Sequence, residues 1–146
     1  MVTTLTLAID TDRLPELLQL AAESGWRVLA AEPEKFVERH LVLPCEDPAS
    51  GVRLDFVFGV TPFERQAVER ALSVSMQGVR VRVVTPEDLL IHKLVAGRAR
   101  DLEDARGLLR RNPDLDRAYV RHWLAQFDAT LSLNTLERLA QVSAGA

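Results

Sequence analysis

The segment Val52-Arg53-Leu54-Asp55-Phe56-Val57-Phe58-Gly59, with Thr61-Pro62-Phe63-Glu64 just after it, decides how the chain is built. Alternation sends Val52, Leu54, Phe56 and Phe58 to one face of a strand and Arg53, Asp55 and Val57 to the other. Gly59 ends the strand. Thr61 and Glu64 form a capping box around Pro62, the first helical position, and open a helix running to about Leu72.

Upstream, residues 2–9 set Thr at alternate places among Leu and Val, a pattern that suits a pleated strand. Thr11-Asp12 then offers a helix cap, Pro15 sits in the first turn, and Leu14, Leu17, Leu18 and Ala21 recur at helical spacing until Gly25. Asp10 and Asp12 are accordingly read as caps. Residues 26–30 and 36–43 read as strands, and Pro44 to Gly51 as a turn-rich connection.

Downstream, residues 79–84 alternate Val with Arg, the pattern of a strand with one wet face. Thr85-Pro86-Glu87-Asp88 repeats the Thr-Pro cap and puts the Asp88 carboxylate at a helix N-terminus. Leu89, Leu90, Ile91, Leu94 and Val95 surround most of that helix, which marks it as central, and Gly97 ends it. A second helix from about Arg100 faces Leu102, Ala105, Leu108 and Leu109 inward. Asn112-Pro113-Asp114 breaks it and caps a third, striped by Leu115, Tyr119, Trp123 and Phe127; a fourth starts near Asn134. The expected fold is α+β (α/β): a mixed sheet flanked by helices, then a helical half, in one domain over 1–146 with a sheet-rich core at 1–84 and a helical portion at 85–146.

Composition narrows the function classes. With 146 residues, 47% apolar and 27% charged, the chain is neither a disordered tail nor a coiled coil. Its apolar runs fall far short of the ~20 residues that span a bilayer. The first positive residue is Arg13, so the start of the sequence does not resemble a basic-then-apolar signal peptide. The lone Cys45 excludes an intramolecular disulfide, and a reducing cytoplasm is the expected location. A net charge of -3 gives no global attraction to nucleic acid, and acidic residues interrupt the arginines of the helical half.

Four residues stand out chemically. Asp55, in an apolar strand, is either paired with Arg53 on its own face or a metal ligand. Lys93, in the central helix, either snorkels to water or reaches an anion such as a phosphate. Asp101 and Asp104 share one side of the next helix, where they complement its dipole or fold back on Lys93 as an ion pair. His40, His92 and His122 lie on separate elements without metal-ligand spacing. Cys45, read as a loop residue, is a nucleophile candidate for a hydrolase.

Several stretches together resemble the small bacterial nucleotidyltransferase-superfamily proteins, which include toxins of the AbiEii kind. They are Ser50 to Gly59, Pro62-Phe63-Glu64, Thr85 to Lys93, and Gly97-Arg98-Ala99-Arg100-Asp101-Leu102-Glu103-Asp104. The resemblance implies transfer of nucleotide from an NTP to a hydroxyl of protein, RNA or a small molecule, with Mg²⁺ ions held by three carboxylates. It makes Asp55 the third of those metal ligands, Lys93 the nucleotide-binding lysine near the triphosphate, and Asp101 and Asp104 the residues that orient it. It also implies a Gly-Ser turn and an Asp-x-Asp strand. The turn would precede Met1, and residues 1–7 carry no acid.

A lone carboxylate does not strip Mg²⁺ of its waters twice over, so the expectation is a truncated or catalytically degenerate member with the acceptor left open. That reading expects Asp55 and Lys93 to face one cleft within about 10 Å, from side-chain reach on adjoining elements. The alternative is a non-catalytic interaction or regulatory module on the same fold, a homodimer or a toxin–antitoxin-type partner. It expects a self-associating surface near the first strand.

Overall fold

The computed structural model describes residues 2–7, 9–59 and 61–145. The chain divides into two compact units, residues 1–69 and 70–146, and the architecture is α+β, as the sequence implied.

The first unit begins with strand β1 (Val2–Leu7), a 3-10 turn (Thr11–Arg13), helix α1 (Leu14–Glu23) and strand β2 (Arg27–Val28). Helix α2 (Pro33–His40), strands β3 (Val42–Glu46) and β4 (Arg53–Phe58), and helix α3 (Pro62–Arg70) follow. The strands form a mixed sheet in the order β1-β4-β3-β2. β1 runs parallel to β4 with Thr4 opposite Asp55, and β3 is antiparallel to both β4 and β2. The alternation in β4 has its expected result: Phe56 and Phe58 are buried with Leu43 and Cys45 of β3 under Leu14, Leu17, Ala21 and Val37. The Trp26 ring adds to this cluster, 5.5 Å from that of Phe56. Each large side chain buried here contributes about 1.5–3 kcal/mol. The capping box of α3 is complete: Thr61 N and Oγ1 donate to Glu64 Oε2, and Glu64 N donates to Thr61 Oγ1 at 3.2 Å.

Four local readings are corrected. Residues 36–40, expected as strand, end a helix that Pro33 opens at its first turn and Leu41 closes with φ 55. Pro44 and Cys45, expected in a turn, lie inside β3. Proline is tolerated there because its carbonyl accepts from Leu29 N at 2.9 Å, which turns its absent N–H toward β2 and away from the β4 ladder. The turn contracts to residues 47–52, where Gly51 has φ 70 and Asp47 accepts from Ala49 N and Ser50 N. Asp10, read as a cap, makes no capping hydrogen bond; its carboxylate pairs with Arg65 Nη2 at 2.6 Å.

In the second unit, strands β5 (Leu72–Met76) and β6 (Val79–Val83) form an antiparallel hairpin. The sequence reading carried the preceding helix to about Leu72 and assigned nothing to β5; α3 in fact stops at Arg70. Helices α4 (Pro86–Ala96), α5 (Ala99–Arg111), α6 (Arg117–Leu131) and α7 (Thr135–Ala144) complete the unit. α4 packs against the other three and buries Leu90, Ile91 and Leu94, so the helix apolar around most of its girth is the central one. Caps fix the ends: Thr85 Oγ1 accepts from Asp88 N, Asp116 from Tyr119 N, and the Asp128 carboxylate from the Thr135 and Leu136 amides. Among the described residues no helix is long and apolar enough to cross a membrane.

Candidate functional site

The site is built at the junction of α4 and α5. α4 ends in Gly97, whose φ of 64 suits glycine, and Gly97 N donates to Lys93 O at 3.0 Å. Arg138 of α7 lies over that end and donates to the carbonyls of Leu94 and Val95 at 2.7 and 3.1 Å. The left-handed backbone favours glycine here, and a Cβ on Gly97 would push the Arg138 guanidinium aside. Only Gly97 and Arg98 separate the helices, and the chain folds back at once.

This reversal brings Lys93, Asp101 and Asp104 together. Lys93 Nζ lies 2.9 Å from Asp101 Oδ1 and 2.8 Å from Asp104 Oδ2, and Arg98 Nε reaches Asp101 Oδ2 at 2.8 Å. The i, i+3 spacing thus puts both carboxylates on the side of α5 that meets α4. Exposure is graded: 10% for the Asp101 side chain, 26% for Lys93 and 45% for Asp104, so the ammonium lies between a buried and a solvated carboxylate. The hydrogen bonds that Lys93 donates to Asp104 and then to Asp101 raise its pKa above the ordinary lysine value against the opposing effect of burial. The Lys93 hydrogen bond holds Asp101 below the usual carboxylate range, with Arg98 adding to it and burial opposing. An ammonium has three donors; among the described residues two are engaged, which leaves one for an incoming oxygen.

Asp55 belongs to the first unit, the other three residues to the second. It is half-buried in mid-strand, opposite Pro44 on β3 and Thr4 on β1. Among the described residues it has no ion pair, so the pairing with Arg53 is not formed. Cys45 is fully buried in β3, and burial, then the Asp55 charge, pushes its thiol above the ordinary value. That environment suppresses the thiolate a nucleophile needs. The His40 ring lies tilted against that of Phe36, and His122 shares a 2.8 Å contact with Gln126 on its own helix.

A second polar cluster escaped the sequence reading. Asp88, expected only as a cap, is completely buried; its Oδ2 accepts from Thr85 Oγ1 at 2.8 Å and Arg70 Nε at 3.2 Å, its Oδ1 from Tyr119 OH at 2.7 Å. Arg70 also lies 4.0 Å over the Tyr119 ring. Burial, then the Asp88 hydrogen bond and charge, drives the Tyr119 phenol well above its usual range. A buried Asp two residues after a helix-opening Pro signals such a cluster, but the partners are too distant in sequence to name from it.

The Mg²⁺ ions implied by the resemblance can be tested against these donors. Among the described residues no three His, Cys, Asp or Glu side chains gather as a metal set. Asp101 and Asp104 are committed to Lys93. Asp55 alone fits a Mg²⁺ that arrives on a triphosphate and keeps most of its waters, since Mg²⁺ commonly takes one or two carboxylates plus substrate phosphates. It does not fit a protein-built two-metal clamp.

A family model described as "Nucleotidyl transferase AbiEii toxin, Type IV TA system" matches residues 9–145, a span that includes Asp55, Lys93, Asp101 and Asp104. No curated protein sequence matches the chain.

Proposed function

The chain belongs to the AbiEii family of nucleotidyltransferase toxins from type IV toxin–antitoxin systems, and on that premise we propose that it binds Mg-NTP but is a poor catalyst of nucleotidyl transfer. Lys93 is the amine that meets the triphosphate, and Asp101 and Asp104 hold it in place; Asp55, in the first unit, is taken by itself as a carboxylate that a nucleotide-borne Mg²⁺ can use. The observation that carries the reading is the lysine held between Asp101 and Asp104, with two of its three donors engaged among the described residues. Members of such a family work with an NTP and an antitoxin. The weakness of transfer follows from the metal chemistry: in-line displacement needs charge neutralised on both the attacking and the leaving oxygen, and a single carboxylate supports too few metal bonds for that.

Calorimetric titration with each of the four NTPs, with and without Mg²⁺, tests the proposal. Micromolar to millimolar Mg-dependent binding is expected, weakened at least tenfold by Lys93→Met and reduced in its Mg²⁺ dependence by Asp55→Asn. Pyrophosphate release should stay near background. Absence of binding by all four nucleotides would overturn the proposal. So would fast turnover that survives Lys93→Met.

A second reading rests on the same contacts. Two carboxylates already neutralise Lys93, so the cluster also serves as a clasp between α4 and α5 in a non-catalytic interaction module. In that case Lys93→Met lowers thermal stability and no nucleotide binds to the wild-type chain.

A further inference from the structure

The β5–β6 hairpin separates its side chains completely by face. Register pairs Leu72 with Val83, Val74 with Val81 and Met76 with Val79, so six apolar residues share one face. Ser73 and Ser75 pair with Arg82 and Arg80 on the other. The apolar face is in water: Leu72 is 50%, Met76 59% and Val79 62% exposed. A lone two-stranded hairpin with a wet apolar face is marginal in water; it gains stability when further strands are added.

The turn tells which backbone groups are free. Only Gln77 and Gly78 separate the strands, both with positive φ, 52 and 82, the type I′ geometry of a two-residue hairpin. Met76 and Val79 flank it and exchange hydrogen bonds, so Val74 and Leu72 do likewise with their partners on β6. Ser73 and Ser75 therefore aim their N–H and C=O outward from β5. Both are exposed, and among the described residues no strand pairs that edge.

The two edges of the hairpin differ in how they meet a copy of themselves. Antiparallel pairing of β6 with a second β6 about Val81 would set Arg80 against Arg82 twice, an unfavourable arrangement of like charges. β5 has no charge, proline or bulge to guard it. Its sequence Leu72-Ser73-Val74-Ser75-Met76 is a palindrome in character, serine on each side of a central valine and a long apolar residue at each end. Paired antiparallel about Val74, it matches Ser73 with Ser75 in the outward hydrogen-bonding pairs, Leu72 with Met76, and Val74 with itself.

We infer that this chain self-associates through β5, two hairpins joining edge to edge about a twofold axis at Val74 into a four-stranded β6-β5-β5-β6 sheet. Self-complementarity of this kind is what an isologous interface requires. The contact is small, so the dimer is weak and concentration-dependent. It lies in the second unit.

Sedimentation equilibrium over a broad concentration range, together with cysteine cross-linking, tests the inference. The wild type should form dimers at high concentration. Ser73→Pro removes only an outward-facing N–H and should yield monomers with an unchanged circular dichroism spectrum. Val74→Cys should form an inter-chain disulfide under mild oxidation, because the non-hydrogen-bonded pair brings Cα atoms to about 4.5 Å, within disulfide reach. Arg80→Cys should not, and the native Cys45 is buried. A wild type that stays monomeric would overturn the inference, the apolar face then belonging to another occupant. Cross-linking at position 80 as strong as at 74 would also overturn it. If Ser73→Pro fails to fold, the contrast between the two cysteine variants decides alone.

Discussion

The Tyr119 phenol donates to Asp88 Oδ1 at 2.7 Å, joining α6 to the first turn of α4 around a carboxylate that water does not reach. Arg70 completes the arrangement by pairing with Asp88 while lying over the Tyr119 ring. Arg70, the first residue of the second unit, is thereby tied to α4 and α6 through one buried anion. Such a network is stable when every member is satisfied and fragile when one is removed.

Tyr119→Phe should therefore destabilise the protein by about 1–3 kcal/mol, the range for leaving a buried polar group short of a partner. Asp88→Ala should do more, since it removes the anion facing Arg70 and disrupts the start of α4. Urea denaturation of the two variants checks both. A loss below ~0.5 kcal/mol for Tyr119→Phe would show that water replaces the phenol and that the network is not closed.

The Lys93 cluster predicts a pH dependence with a definite sign. Asp101 titrates below its unfolded value of about 4, so its stabilisation is present above that pH and is lost as pH falls through the lower folded value. Lys93 titrates above its unfolded value of about 10.4; its share persists below that and disappears as pH rises through the raised folded value. The stability gap between the wild type and Asp101→Asn should thus be constant near neutrality and shrink under acid. A gap that keeps its size well below pH 4 would contradict the pairing.

The helix reversal before the cluster can be tested separately. Gly97→Ala should lose about 1–2 kcal/mol from the left-handed backbone alone. A further loss should arise as the Cβ displaces Arg138 from the carbonyls that it caps. In an Arg138→Met background the penalty for Gly97→Ala should fall back toward the backbone component. Additive penalties in thermal or urea unfolding would mean that Arg138 yields freely.

What could be read from the sequence was local. The capping boxes at Thr61 and Thr85 are complete within four residues, and the Lys93–Asp101–Asp104 cluster needs only helical spacing and a tight connection, so both were visible. Pro33 at a first helical turn was an available signal for α2, but adjacent Phe36 and Val37 at the head of an apolar-ended run pointed to strand. β5 alternates Leu72, Val74 and Met76 and was equally legible; the α3 pattern was carried over it. The Asp88–Arg70–Tyr119 cluster was not legible, because its members meet across 18 and 31 residues and no periodicity links them. Asp55 shows a different limit: its strand and face follow from alternation, its neighbours Thr4 and Pro44 only from the register of three strands.

Asp55 gives the most discriminating prediction, because its proposed role and its contribution to stability have opposite signs. Asp55 is half-buried in mid-strand, and among the described residues it makes no ion pair that removing its charge would break. Asp55→Asn keeps the shape and removes the charge, so it should leave the folded protein as stable or raise its melting temperature by a few degrees. The same change should reduce the Mg²⁺ dependence of nucleotide binding, since an amide oxygen is a poorer partner for a hard cation than a carboxylate. Stabilisation combined with loss of binding is the pattern of a residue kept for a ligand at the expense of the fold. A marked destabilisation with unchanged binding, measured by thermal unfolding and calorimetry on the same sample, would instead make Asp55 part of the sheet's own framework.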